Sequence, residues 1–305
     1  LIGFLNINKS GGATAHDVVA RVRRILSLKH VGHGGTLDPM ATGVLPVAIG
    51  KACRLLRYLD GTKVYLAEIL LGVETTTDDI EGEVTSKASS LPEESRIREA
   101  AKEFRGELMQ IPPAYSAVHH DGERLYKLAR KGAIPEDIPA RKVTVFEFDV
   151  LDVALPVVRA RVRCGAGTYI RALARDLGRA LGCGGTLQSL VRERAGPFKI
   201  ENSLTLQDLE RLKDEGRLGL ALGSPAEFLS LPCLPVELPE ALTLACGQTL
   251  SLSERQPSGA SAGGASDERV AVTWQGHLLA ICRKAESDRL SPEVVLSRPE
   301  ELSNS

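Results

Sequence analysis

The chain has 305 residues, 43% hydrophobic and 25% charged, with a formal net charge of −1; it is long enough to bury a sizeable core in one large domain or two. No apolar run reaches membrane-spanning length and the N-terminus does not read as a signal peptide, so a soluble cytoplasmic protein with no membrane association is expected. The six cysteines form no C-x-x-C pair and have no zinc-like spacing to a histidine, which argues against a disulfide framework or a zinc site.

The small net charge hides an asymmetry. Residues 1–200 hold 29 Lys and Arg against 23 Asp and Glu, and residues 201–305 hold 9 against 16. The basic portion suits a polyanionic partner better than the acidic tail does.

Thr14-Ala15-His16-Asp17 has the spacing of a capping box and opens a predicted helix. Val18, Val22, Ile25 and Leu26 form its apolar stripe, with Arg21 and Arg24 on other faces. Residues 44–49 and 64–72 read as strands, 75–83 as an acidic, threonine-rich loop, 93–104 as a helix after Pro92, and 143–153 as a further strand. In residues 158–164, Val158, Ala160, Val162 and Cys164 alternate with Arg159, Arg161 and Arg163. Strand geometry sets those three guanidinium groups on one face, where an anion or an acidic neighbouring strand must balance them. A helix over 171–181 is capped by Gly182, and Thr205 with Asp208 opens another over 205–215. A boundary near Gly223-Ser224-Pro225 leads into a tail of short apolar runs and turns. There the stretch 258–266 reads as a flexible loop, and 270–274 with 277–282 as a hairpin about Gln275-Gly276. The tail therefore reads as a small all-β domain.

The densest segment runs from Gly32 to Lys51, G-H-G-G-T-L-D-P-M-A-T-G-V-L-P-V-A-I-G-K. Its glycines permit positive φ and close backbone approach around one histidine, His33, and one aspartate, Asp38. It is not a phosphate-cradling P-loop, because Ala52 follows Gly50-Lys51 and no glycine stands five residues before Gly50. The dinucleotide fingerprint fails at Leu37, and no G-x-S-x-G elbow accompanies His33-Gly34-Gly35. From composition alone, a ligand-holding loop and a tight turn before a buried strand fit equally.

The segment closely resembles the signature of the TruB family, the bacterial tRNA pseudouridine-55 synthases. Further resemblances follow in order: Lys63-Val64-Tyr65, then Leu71-Gly72 with residues 75–82, T-T-T-D-D-I-E-G, then residues 110–117, Q-I-P-P-A-Y-S-A, then Gly167-Thr168-Tyr169-Ile170-Arg171. They cover about residues 2–230 and extend more weakly over the tail.

The resemblance implies an α+β fold: a mixed, largely antiparallel sheet with flanking helices over residues 1–230, and a small PUA-like, RNA-binding β-barrel over 231–305. It implies isomerisation of uridine 55 in the T-loop of tRNA, with the base flipped out of the stack and no cofactor or metal. The N1–C1′ bond breaks, the base rotates, and C5 joins C1′. Asp38 corresponds to the catalytic carboxylate, acting by C1′ attack, C6 addition or removal of the 2′ proton. Tyr65 corresponds to the tyrosine that stacks on the base and moves the C5 proton, and Arg171 to the arginine paired with the carboxylate. His33 corresponds to the residue filling the vacated space, and Tyr169 and Leu190 line the uracil pocket. Arg54, Lys63, Arg159, Arg161 and Arg163 are candidate phosphate contacts. The expected partner is the T-stem and T-loop of tRNA, and a monomer is the default expectation.

Two departures from the family pattern stand out: Ser10 follows Lys9 where proline is usual, and Gly34 follows His33 where threonine is usual. Two rival readings are a non-catalytic tRNA-binding factor on the same scaffold and a glycoside hydrolase pairing Asp38 with Asp78. The aromatic content of 4% disfavours the second.

Overall fold

The computed structural model describes residues 1–135, 137–252, 258, 269–285 and 288–303. Its larger sheet holds nine strands: β1 (Gly3–Lys9), β2 (Val31–His33), β3 (Thr42–Ile49), β4 (Lys63–Leu71), β5 (Gly106–Gln110), β6 (Arg141–Ala154), β7 (Val157–Cys164), β8 (Gly185–Ala195) and β9 (Phe198–Lys199). The main path is β1-β3-β8-β4-β7-β6-β5, with β2 on β3 and β9 on β8. Every pairing is antiparallel except β3 with β8. Four helices flank the sheet: α1 (Ala15–Leu26), α2 (Glu94–Glu103), α3 (Ile170–Leu181) and α4 (Leu206–Asp214).

The local signals explain these elements. Thr14 and Asp17 bond reciprocally as a capping box at the start of α1, and Thr205 and Asp208 do the same for α4. Gly182 ends α3 with φ 76°, a left-handed cap that glycine adopts without penalty.

The core lies in three apolar clusters around the sheet. At the β1–β3 end, Val18, Val22 and Ile25 of α1 and Leu209 of α4 bury Leu5, Ile7, Leu45 and Val47. At the other end, Ile97 of α2 and Ile170, Leu173 and Leu177 of α3 cover Tyr65, Ala67, Ile69, Val158, Ala160 and Val162. Strand β4 shows the period of two directly: Tyr65, Ala67, Ile69 and Leu71 are buried and alternate with half-buried neighbours.

The tail forms a five-stranded sheet from β10 (Cys233–Pro235), β11 (Leu250–Ser251), β12 (Arg269–Trp274), β13 (His277–Ala285) and β14 (Arg289–Val295), in the order β10-β12-β13-β14-β11. The expected hairpin joins β12 to β13; Gln275 and Gly276 both take positive φ, 48° and 78°, as a two-residue hairpin loop of matching twist requires. Of the stretch 258–266 only Ser258 is described; the rest lies outside the described residues. Phe4, Val44 and Phe198 of the first sheet share an apolar cluster with Leu278, Ile281 and Val294 of the second. Phe198 stacks on Phe228 with ring centroids 4.5 Å apart. The architecture is thus α+β, with a mixed, largely antiparallel sheet, flanking helices and a curled C-terminal sheet. No helix among the described residues is long and apolar enough to cross a membrane.

Candidate active site

Asp38 stands in the loop between β2 and β3, and Arg171 in the first turn of α3. Arg171 donates Nε to Oδ2 and Nη2 to Oδ1 of Asp38, each at 2.9 Å, the two-pronged geometry that fixes a carboxylate in position and orientation. A cation in a helix's first turn opposes the helix dipole; the carboxylate of Asp38 offsets this. The same guanidinium donates Nη1 to the Thr77 carbonyl at 2.9 Å and Nη2 to the Tyr115 carbonyl at 3.0 Å. The Asp79 carboxylate lies 3.5 Å from its Nε. One buried side chain therefore gathers four separate segments, and all four carry motif residues quoted above.

Each segment has its own anchor. Lys9 is 1% exposed and donates Nζ to the carbonyls of Ser10, Ala13 and Pro39 at 2.9, 2.6 and 3.0 Å, clasping the residue after Asp38. Burial pushes the Lys9 ammonium below its usual range, against the pull of Asp38. The acidic loop is docked on β8 by Ile80 N to Leu187 O and Leu187 N to Asp78 O. Arg175, one turn after Arg171, donates to Asp78 at 2.8 Å and to the Ile111 carbonyl at 2.8 Å. Burial raises the Asp78 carboxyl, with Arg175 pulling it back. Gln110 bonds both backbone groups of Tyr169, accepting from N at 2.8 Å and donating to O at 3.1 Å, which satisfies the start of α3 in place of a side-chain cap.

The expected site residues fall into two groups. Asp38, Tyr65, Arg171 and Leu190 belong together on one side of the sheet: Tyr65 and Leu190 share an apolar cluster with Leu37, the neighbour of Asp38 in the chain, and the Asp38 charge acts on both Tyr65 and Tyr169. Burial pushes the phenols of Tyr65 and Tyr169 up. His33 ends β2; its Nδ1 is buried without a hydrogen-bond partner among the described residues, and burial, then Arg192, lowers its pKa, favouring the neutral ring. Lys63 shares the strand face of Tyr65, bonds the Gly61 carbonyl at 2.7 Å, and is pushed down by burial and by Arg192.

Arg159, Arg161 and Arg163 occupy the opposite face of the sheet, in register with Glu68, Leu66 and Val64 of β4. The balancing acids come from β8, two strands away, and from the adjacent β6: Arg161 bonds Glu193 at 3.0 and 3.2 Å, and Arg163 bonds Glu147 at 2.8 Å. Arg54 lies at the junction with the tail, donating to the Val295 carbonyl at 3.0 Å. Asp78, the second carboxylate of the glycosidase reading, is bound to Arg175.

Sequence reasoning passed over one residue. Arg192, in β8, is 0% exposed and donates to the carbonyls of Val44, Thr36 and Gly35 at 2.7, 3.2 and 3.0 Å. It braces the Asp38 loop at Gly35, Thr36 and Val44, as Lys9 does at Pro39. Gly43 lets β8 approach: a Cβ there would meet the Arg192 carbonyl at 2.4 Å. The available signal was the pleat, which puts Arg192 on the face of Leu190 two residues before it.

Residues 23–170 match the N-terminal domain of the TruB family pseudouridylate synthases, and residues 171–228 match the tRNA pseudouridylate synthase B C-terminal domain. The chain is 51% identical over 253 residues to tRNA pseudouridine synthase B of Dehalococcoides mccartyi, covering 82% of this chain and 84% of that protein. It is 51% identical over 242 residues to tRNA pseudouridine synthase B of a Nostoc species, covering 78% and 81%. Among solved structures it is similar to a chain of a Cbf5-Nop10-Gar1 complex, with TM-score 0.75 and 30% identity over 98% of this chain and 86% of that one. It is also similar to a chain of an H/ACA RNP bound to a substrate RNA containing 2′-deoxyuridine, with TM-score 0.73 and 28% identity over the same shares, 98% and 86%.

Proposed function

The chain belongs to the TruB family of pseudouridylate synthases, and from that premise we propose that its substrate is tRNA, met at the T-stem and T-loop, and that uridine 55 is the base isomerised. The relatives named as tRNA pseudouridine synthase B support the choice of tRNA. The observation that carries the chemistry is the two-pronged pair of Asp38 and Arg171. It presents one oriented carboxylate beside a buried tyrosine and an apolar wall.

In this reading Asp38 acts on the nucleotide while Arg171 holds it in place. The N1–C1′ bond breaks, the uracil turns between Tyr65, Tyr169 and Leu190, and C5 bonds to C1′. The C5–H bond then breaks, its electron pair returns to the ring, and the ionised form of Tyr65 receives the proton to become the neutral phenol. The Nδ1 of a neutral His33, without a hydrogen-bond partner among the described residues, is an acceptor for a group of the opened T-loop, in the space the flipped base leaves. Lys63, on the face of Tyr65, is the proposed phosphate contact, with Arg54 marking a second where the sheet meets the tail. Arg159, Arg161 and Arg163 would meet RNA only across the far face of the sheet. The tail, from about residue 231, is the proposed PUA-like RNA-binding domain, and its sheet against the first supports one continuous surface.

The test is pseudouridine mapping by carbodiimide labelling and primer extension on unmodified tRNA, with the wild-type chain and with Asp38→Asn. A stop at the T-loop uridine with wild type alone is expected. A stop at another position would overturn the T-loop assignment, and product from Asp38→Asn would overturn the role of Asp38.

A further inference from the structure

The segment Gly50–Tyr58 is a 3-10 helix that follows β3 directly and meets the tail along its length. In a helix of three residues per turn, side chains three apart stack on one edge. On that edge Lys51 pairs with Glu301 at 3.0 Å, and Arg54 donates Nη1 to the Val295 carbonyl at 3.0 Å. At the last position the Tyr58 hydroxyl donates to Glu293 Oε2 at 3.0 Å. The apolar side of the helix, Ala52 and Leu55, is wholly buried in the cluster that also holds Val294 and Leu296 of the tail.

Glu293 is the hub of this contact. It stands on β14, accepts from Nε of Arg269 on β12 at 2.9 Å, and pairs with Nη2 of Arg283 on β13 at 2.7 Å. Arg269 and Arg283 are Cα partners across β12 and β13, where two like charges repel. One carboxylate between them offsets that repulsion, and Tyr58 ties the same carboxylate to the helix that follows β3. The Arg57 and Arg269 guanidinium carbons lie 5.1 and 5.6 Å from the Tyr58 ring centroid, so cations from both parts of the chain flank the ring. The other side of the helix underlies the site. A Cβ on Gly34 would lie 3.4 Å from Leu56 and Leu59, and one on Gly32 3.5 Å from Leu56. Strand β2, which ends in His33, therefore rests on the helix that seats the tail.

We propose that Tyr58 and Glu293 are positioning residues for the substrate: they lock the tail in one orientation against the first sheet, so that an RNA touching both the tail and the Asp38 pocket is gripped by one rigid surface. The physical reason is effective concentration. Two contacts on one ligand reinforce each other most when their separation is fixed to match it, and a loosened joint spreads the second contact over a larger volume. The lock acts on the grip of a long RNA and leaves the bond-making steps at Asp38 untouched. This inference rests on the reading of the tail as an RNA-binding part.

The test measures single-turnover pseudouridine formation by the full chain on two RNAs that share a T-loop, an unmodified whole tRNA and the isolated T-arm hairpin. Wild type, Tyr58→Phe, Glu293→Gln and the double variant are compared by half-saturating concentration and by rate at saturation. Tyr58→Phe is expected to raise the half-saturating concentration for whole tRNA by about tenfold, the loss of one hydrogen bond to a charged group, while its saturated rate and both values for the hairpin stay within about twofold. Glu293→Gln should shift the same quantity in the same direction, and the double variant should lose less than the product of the two, because both break one contact. A lower saturated rate, or an equal loss on both RNAs, overturns the proposal and makes the pair a support of the pocket or of the fold. Tighter binding of both RNAs by Glu293→Gln, the result of a lost negative charge alone, overturns it as well. Should Glu293→Gln not fold, Tyr58→Phe, which removes a single hydroxyl, carries the comparison. Wild type separates the two readings: equal half-saturation for tRNA and hairpin overturns the tail as an RNA-binding part and the lock with it, whereas a preference for tRNA that both variants keep overturns only the lock.

Discussion

Arg171 and Asp38, 133 positions apart in the chain, meet through two parallel hydrogen bonds of 2.9 Å. The side chain of the arginine is almost wholly buried and that of the aspartate keeps 29% of its surface exposed. Replacing Asp38 with Asn keeps the shape and removes the charge. Pseudouridine formation is expected to vanish while tRNA binding, read by filter retention, stays within about threefold, since a phosphate-driven grip does not depend on this group.

Arg171→Ala strands both carboxylate oxygens and the carbonyls of Thr77 and Tyr115. Removing one partner of a buried pair costs about 3–5 kcal/mol. Urea denaturation should therefore show a loss of that order, with turnover falling further than affinity. A pure binding defect at full stability would instead make Arg171 a phosphate contact.

The pH dependence of stability should carry the signature of Asp78. Burial raises its folded-state carboxyl above the unfolded value of 3.8, so between those two values the folded chain binds more protons than the unfolded one. Stability then falls as pH rises through that window, and the cost is constant above it. Asp78→Asn should flatten this contribution. Arg175→Met, which removes the cation that pulls Asp78 down, should extend the fall to higher pH; an identical pH profile in wild type and Asp78→Asn would refute the assignment.

Two glycines of the same segment should respond differently to alanine. A Cβ on Gly34 would sit 3.3 Å from Pro46 and 3.4 Å from Leu56 and Leu59, side chains that can yield. A Cβ on Gly43, with φ 99°, would sit 2.4 Å from the Arg192 carbonyl. Gly34→Ala should change stability by less than about 1 kcal/mol, and Gly43→Ala should cost more than about 2 kcal/mol, by thermal or urea unfolding. Comparable losses would mean that the approach of β8 to β3 is not what Gly43 serves.

Much of this was legible in the chain because the signals are local. The capping boxes at Thr14 and Thr205, the alternation in residues 158–164 and the Gln275-Gly276 turn each act over a few residues, and each element was found within a few positions of its expected limits. Asp38 and Arg171 were legible through motif resemblance. Arg192 was not, because Val191-Arg192-Glu193-Arg194 looks like any half-exposed polar stretch. Its burial follows from the place of β8 between β3 and β4, a property of the whole sheet. For the same reason the arginine face could be read from the pleat, whereas the side of the sheet it would occupy, and the carboxylates that balance it, could not.

The insertion of β8 between two strands that precede it by more than a hundred residues also bears on synthesis at the ribosome. Until β8 has left the exit tunnel, β3 and β4 lack their shared neighbour, and the Asp38 loop lacks the guanidinium that binds its carbonyls. A nascent chain that has made Asp38, Tyr65 and even Arg171 still has no assembled catalytic pocket. Long-range pairing of this kind is slow to form, so catalytic competence arrives late and in one step, after residue 195 has emerged.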